Sequence, residues 1–132
     1  MSIMSKGYKN RSAVQEVIRY VLQQTKVEVD KANPYLLTRF MAPNTPEQQI
    51  IERFKNNEHT RIHKRKNANI IYQEIISFHQ LDSDKLSSTD LREIITKYVE
   101  LRCPQSIAFA VYHNDREHLH THLVFSGVQY AT

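Results

Sequence analysis

Apolar positions recur at two spacings along the chain, and the switch between them predicts an order of elements. Val14, Val17, Ile18, Val21 and Leu22 follow Ser12 at helical spacing, which predicts a first helix with one buried face. At about 100° per residue, Tyr20 falls well off the centre of that stripe and should face solvent. Residues 35–40, Tyr-Leu-Leu-Thr-Arg-Phe, lie between Asn33-Pro34 and Pro43 and read as a strand. A second helix follows: Thr45 is placed to cap it, Pro46 to open it and Gln48 to complete a capping box. Ile50, Ile51 and Phe54 then supply its buried face, as far as about Asn57.

Residues 58–67 are polar and basic and read as a surface loop. Residues 69–79 carry Ile70, Ile71, Tyr72, Ile75, Ile76 and Phe78 on both faces, the pattern of a central strand covered on both sides. A third helix spans 87–102, capped by Ser87 or Ser88, with Leu91, Ile94, Ile95, Tyr98 and Val99 inward and Pro104 ending it. Residues 106–113 and 117–128 are two strong strands joined by Asn114, Asp115 and Arg116, an antiparallel hairpin. Helix, strand, helix, strand, helix, strand, strand defines an α+β fold. The expected form is a two-layer sandwich, a central antiparallel sheet with helices mainly on one face and an open face for a site. The first ten residues show neither periodicity and read as a tail.

Composition narrows this only a little. A length of 132 residues, 40% hydrophobic, predicts a single domain over 1–132 with a real core. Two glycines and four prolines leave no room for a flexible linker. There is no secretory signal and no apolar run long enough for a membrane span, and the single Cys103 forms no internal disulfide. These features point to the cytoplasm and exclude a membrane partner. Lys and Arg total 18 against 14 Asp and Glu, a net charge of +4 that mildly favours polyanions.

The chemistry concentrates in the hairpin. Four of the 7 histidines, His113, His118, His120 and His122, fall within ten residues. On an extended strand His118, His120 and His122 share one face while Leu119, Leu123 and Phe125 take the other. His113 ends the preceding strand, so its imidazole can converge with His120 and His122 as a three-nitrogen ligand set that leaves a coordination position open. His118, at the strand's start, stays outside this triad. Asp115, two residues from His113, is placed to accept the free N–H of a ligating imidazole. The bland alternative is a solvated, histidine-rich hairpin.

His113, Asp115, His120 and His122 form His-x-Asp-x4-His-x-His followed by Leu-Val-Phe, which resembles the histidine motif of relaxases, the HUH-type mobilisation nucleases of conjugative plasmids and integrative elements. The stretch Ile-Ile-Tyr-Gln-Glu-Ile-Ile-Ser-Phe at 70–78 looks like the family's strand ending in Ser-Phe, and 90–100 falls where its intervening helix does. Upstream, Arg-Tyr-Val-Leu at 19–22 with Lys26 is similar to the helix that carries the family's nucleophilic tyrosine. The resemblance covers about residues 11–128 and maps the nucleophile to Tyr20, with Tyr8 in reserve. It departs from the pattern at Gln73, where many relatives have histidine, and the chain stops soon after the motif strand, as a truncated part of a longer protein would.

The resemblance implies strand-specific nicking of DNA at an origin of transfer. A tyrosine oxygen attacks the scissile phosphate to give a 5′-phosphotyrosine and a free 3′-hydroxyl. It implies a Mg²⁺ or Mn²⁺ ion, and imidazole ligands themselves favour Mn²⁺ or Zn²⁺ over Mg²⁺. The implied partners are single-stranded or hairpin DNA at the origin of transfer and accessory mobilisation proteins. A phenol is mostly protonated at neutral pH, so attack needs help with deprotonation, and the sequence names no base. Arg61, Lys64, Arg65 and Lys66 suit phosphate contacts, and Lys6, Lys9 and Arg11 add charge near the helix of Tyr20. Two rival classes stand beside this reading. His118-Leu-His120-Thr-His122 also resembles the signature of histidine-triad nucleotide hydrolases and transferases, although Thr121 is polar where that family has an apolar residue. A rolling-circle replication initiator or a non-catalytic DNA-binding module is the other.

Overall fold

In a computed structural model of the chain, residues 2–24, 35–59, 68–79, 85–114 and 119–129 are described, with 24, 113 and 114 described in backbone only. Five strands, β1 (Ser2–Tyr8), β2 (Leu37–Arg39), β3 (Ile71–Phe78), β4 (Ser106–Asn114) and β5 (Leu119–Gln129), form one sheet in the order β1-β3-β5-β4-β2. Every pairing is antiparallel. Three helices complete the described fold, α1 (Ser12–Gln24), α2 (Glu47–His59) and α3 (Ser88–Arg102). The α+β class expected from the sequence is the class observed. Among the described residues no helix is long and apolar enough to cross a membrane.

The helices lie on both faces of the sheet, so neither face is left open. Alternate residues of β4 divide between two cores: Ile107, Phe109 and Val111 join one, Ala108 and Ala110 the other. The first core is closed by Val14, Val17, Ile18 and Val21 of α1 and Ile50, Ile51 and Phe54 of α2. Tyr35 and Phe54 meet the Phe109 ring edge-on at 5.9 and 6.2 Å between centroids, a geometry aromatic quadrupoles favour. The second core is closed by Leu91, Ile95 and Val99 of α3 against Ile76, Leu119, Leu123 and Phe125. The two-layer expectation gives way because β3, β4 and β5 are apolar on both sides, and each apolar side must be covered.

Local chemistry explains most boundaries. Ser87 caps α3: its hydroxyl accepts from the Asp90 N–H at 3.1 Å while the Asp90 carboxylate accepts from the Ser87 N–H at 3.2 Å. At α2 the expected Thr45 cap is not the contact observed, since the Thr45 hydroxyl donates to the Ala42 carbonyl at 2.7 Å. The helix also runs past Asn57 through Glu58 and His59, because Asn57 and Glu58 are buried and engaged. Asn57 donates to Ser126 Oγ and to the Val128 carbonyl at 3.2 and 3.0 Å, and Glu58 pairs with Arg11 at 3.2 Å. The strand expected at 35–40 shortens to Leu37–Arg39, where Phe40, at φ 60°, turns the chain away. The first ten residues, expected to be a tail, instead supply edge strand β1, paired with β3 from Ser2↔Ser77 to Tyr8↔Ile71.

Candidate functional site

The two histidine strands sit in the interior of the sheet, where each has a neighbour on both sides. In the hairpin register His113 stands opposite His120 and Val111 opposite His122. On the other side of β5, β3 places Ser77 opposite His120 and Ile75 opposite His122. His120 and His122 are half-buried and alternate with the buried Leu119, Thr121 and Leu123. They therefore share the face of the first core, together with Val124. The apolar row faces the second core, as the alternation predicts.

The direction of α1 relative to α2 follows from four contacts. Asn57, near the end of α2, is tied to Ser126 and Val128, which fixes that end of α2 at the end of the sheet away from His120. Arg11 reaches Glu58 at 3.2 Å and Gln15 accepts from Lys55 at 3.3 Å, so α1 starts at the same end and runs antiparallel to α2. Tyr20 lies eight positions beyond Ser12, about 12 Å at the helical rise of about 1.5 Å. His122 lies four positions from Ser126, about 13 Å along a strand. The helix packs on the core of the sheet face that carries His120 and His122, and its Tyr20 is 55% exposed, on the solvent side as expected.

The reserve tyrosine is placed differently. Tyr8 pairs with Ile71, which pairs with Ser126, six positions or about 20 Å along the sheet from the row of His120. Its hydroxyl reaches Gln73 Oε1 at 3.5 Å, and Lys6 lies over its ring at 5.2 Å. Arg11 is likewise at the far end of α1 from Tyr20, and Glu58 engages it. Lys9 and Arg11 thus lie near the helix of Tyr20, as expected, at its start.

Other sequence-derived candidates fall outside the described residues: Asp115 and His118 in the hairpin, and Arg61, Lys64, Arg65 and Lys66 after α2. His113 is described in backbone only. Among the described residues no group of three His, Cys, Asp or Glu side chains is gathered for a metal ion, and His120 with His122 is the described pair. The fit to a cation is consistent in donor chemistry. Both rings stand on one face, and a third histidine occupies the cross-strand position beside them, a set of nitrogen donors suited to divalent transition ions.

One contact went unassigned in the sequence. Ser77 Oγ lies 2.9 Å from His120 Nδ1, so the ring is held from the neighbouring strand. Only the cross-strand register brings these two residues together, and register cannot be read from the periodicity of either strand alone.

This architecture is that of a relaxase domain. The MobM relaxase domain (MOBV; Mob_Pre), solved bound to a 26-nucleotide pMV158 oriT DNA, is similar to the chain at a TM-score of 0.56 and 15% identity, covering 94% of this chain and 67% of that one. No curated protein sequence matches. A family model, "Relaxase: MobA/VirD2-like, nuclease domain", matches residues 20–132, and the chain belongs to that family. Membership replaces the histidine-triad hydrolase as the reading of the histidine run.

Proposed function

We propose that this domain nicks one strand of DNA at an origin of transfer, with Tyr20 as the nucleophile. The observation that carries the reading is that two elements share one sheet face. Central strands carry His120 and His122 on the face of the first core, with His113 at the cross-strand position, and α1, which bears Tyr20, packs on that same core. The oriT DNA in the MobM structure supports DNA of this type as substrate, and the proposed substrate is its single-stranded or hairpin form. The wider reading, a single catalytic domain over 1–132 that works with accessory mobilisation proteins in the cytoplasm, rests on family membership.

In the proposed reaction the Tyr20 oxygen forms a bond to the scissile phosphorus as the bond from phosphorus to the 3′ oxygen breaks. The phenol proton departs, the leaving oxygen gains one, and a 5′-phosphotyrosine and a free 3′-hydroxyl result. Exchange of one phosphodiester for another conserves the bond for religation. His113, His120 and His122 would hold a divalent ion, Mn²⁺ or Mg²⁺ with Zn²⁺ also compatible with imidazole. When bound, such an ion neutralises phosphate oxygens as a Lewis acid. Asp115 would accept an imidazole N–H and fix that ring's orientation. The exposure of Tyr20 admits a polymer that must thread past it, which a buried phenol would refuse. Arg61, Lys64, Arg65 and Lys66 would contact phosphates along the strand.

The test is adduct formation. Wild type, Tyr20→Phe, Tyr8→Phe and His120→Ala are incubated with a single-stranded origin oligonucleotide and Mn²⁺, and a covalent product is sought on denaturing gels. The reading expects an adduct in wild type and Tyr8→Phe, none in Tyr20→Phe, and a loss of at least about a hundredfold in His120→Ala. An adduct that survives in Tyr20→Phe overturns the nucleophile assignment.

A further inference from the structure

Ser77 is half-buried on β3, a strand hydrogen-bonded on both sides, at the register position directly across from His120. Its Oγ and His120 Nδ1 are 2.9 Å apart, an ordinary length for a bond between them. An imidazole can bind a cation through one nitrogen only if that nitrogen keeps its lone pair, and the hydrogen bond made by the other nitrogen decides this. We propose that Ser77 is the positioning residue of His120: its oxygen accepts the Nδ1–H, which leaves the lone pair on Nε2.

The ring's geometry gives the bond a direction. Nδ1 and Nε2 flank Cε1 and direct their bonds apart, so a ring held at Nδ1 by Ser77 directs Nε2 away from the Ser77 oxygen. His113 occupies the position opposite His120 on β4. Ser77 thus holds one proposed ligand from β3 while another stands on the strand at its other side. A serine suits the task because its oxygen can accept one proton while donating its own elsewhere, and an interior strand holds that oxygen in place.

The inference rests on the reading of His120 as a metal ligand, and the experiment separates the two. Wild type, Ser77→Ala and Ser77→Thr are labelled with ¹⁵N-histidine, and long-range proton–nitrogen spectra of the metal-free proteins assign the tautomer of His120. Binding of Mn²⁺ is then titrated by the loss of the free-ion paramagnetic resonance signal. The expected result is an Nδ1–H tautomer in wild type that is lost in Ser77→Ala, with Mn²⁺ affinity falling about ten- to a hundredfold. Ser77→Thr, which keeps the hydroxyl on a residue that strands favour, restores both. Circular dichroism of each variant checks the fold. An Nε2–H tautomer in wild type, or a Ser77→Ala that binds Mn²⁺ as tightly as wild type, overturns the inference alone. A wild type that binds no Mn²⁺ overturns the metal reading and this inference with it.

Discussion

Gly127 is fixed by a backbone crossing and not by a turn. A Cβ built there would stand 2.1 Å from the Asn69 carbonyl oxygen and 2.9 Å from its carbon, and the Gly127 N–H donates to the Ile70 carbonyl at 2.8 Å. Both partners are main chain, so relief requires the strand to shift. Gly127→Ala is expected to cost about 2 kcal/mol or more, read as a lower urea midpoint at unchanged slope. Gly7 provides the comparison. Its added Cβ would meet the Asn69 side-chain amide at 2.3 Å, and a side chain can rotate away at the cost of its 3.2 Å bond to the Tyr72 hydroxyl. Gly7→Ala should therefore destabilise less than Gly127→Ala. The reverse order would contradict the packing around Asn69. Neither glycine has positive φ, and nothing in the sequence around them marks either as a contact point.

Among the elements, β1 is the one the sequence hid, and what holds it explains why. All six of its residues before Tyr8 are polar, small or exposed, with Ile3 and Met4 at 41% and 71% exposure, so neither period appears. Its attachment lies in the partner strand: besides the backbone ladder, Ser5 donates to Glu74 at 2.7 Å. Glu74 is buried and also takes the Tyr98 hydroxyl at 2.5 Å and Arg102 at 3.3 Å, so one carboxylate links β1, β3 and α3. The consequence is a test by pH. Burial, and then the bond to and charge of Glu74, push the Tyr98 phenol from 10.0 up to about 12. A phenol titrating higher folded than unfolded stabilises the fold fully below pH 10 and loses that contribution as pH rises toward about 12. The urea midpoint of wild type should therefore fall more steeply than that of Tyr98→Phe across this interval, and equal slopes would refute the link. By contrast α1, α3 and the hairpin were legible, because each carries its own signal: a stripe, a capping box, or alternation with a polar turn. Helices on both faces were half-legible, since β3 declared two apolar sides but no strand states which helix covers which. The histidine row was likewise readable from period two, whereas Ser77 required the register between strands far apart in sequence.

At the scale of the molecule, the sheet order separates presentation from recognition. The histidine strands occupy the interior of the sheet and the tyrosine helix packs on the first core, so the proposed chemistry stands on paired and packed elements. Recognition of a polyanion needs reach and charge instead, and two of the arginines are already committed, Arg11 to Glu58 and Arg102 to Glu74. The surplus of +4 must therefore act through cations elsewhere, and the densest run is Arg61, Lys64, Arg65 and Lys66. If these contact phosphates, binding releases counterions, and the logarithm of affinity falls with the logarithm of salt by about 0.7 for each contact on a single strand. Replacing all four by glutamine is expected to flatten that dependence by up to about 3, measured by fluorescence anisotropy of a labelled origin oligonucleotide over a salt series. Tyr20→Phe, which removes no charge, should leave the slope where it was even as it abolishes the adduct. A slope untouched by the fourfold change would move recognition away from this segment and onto the folded surface.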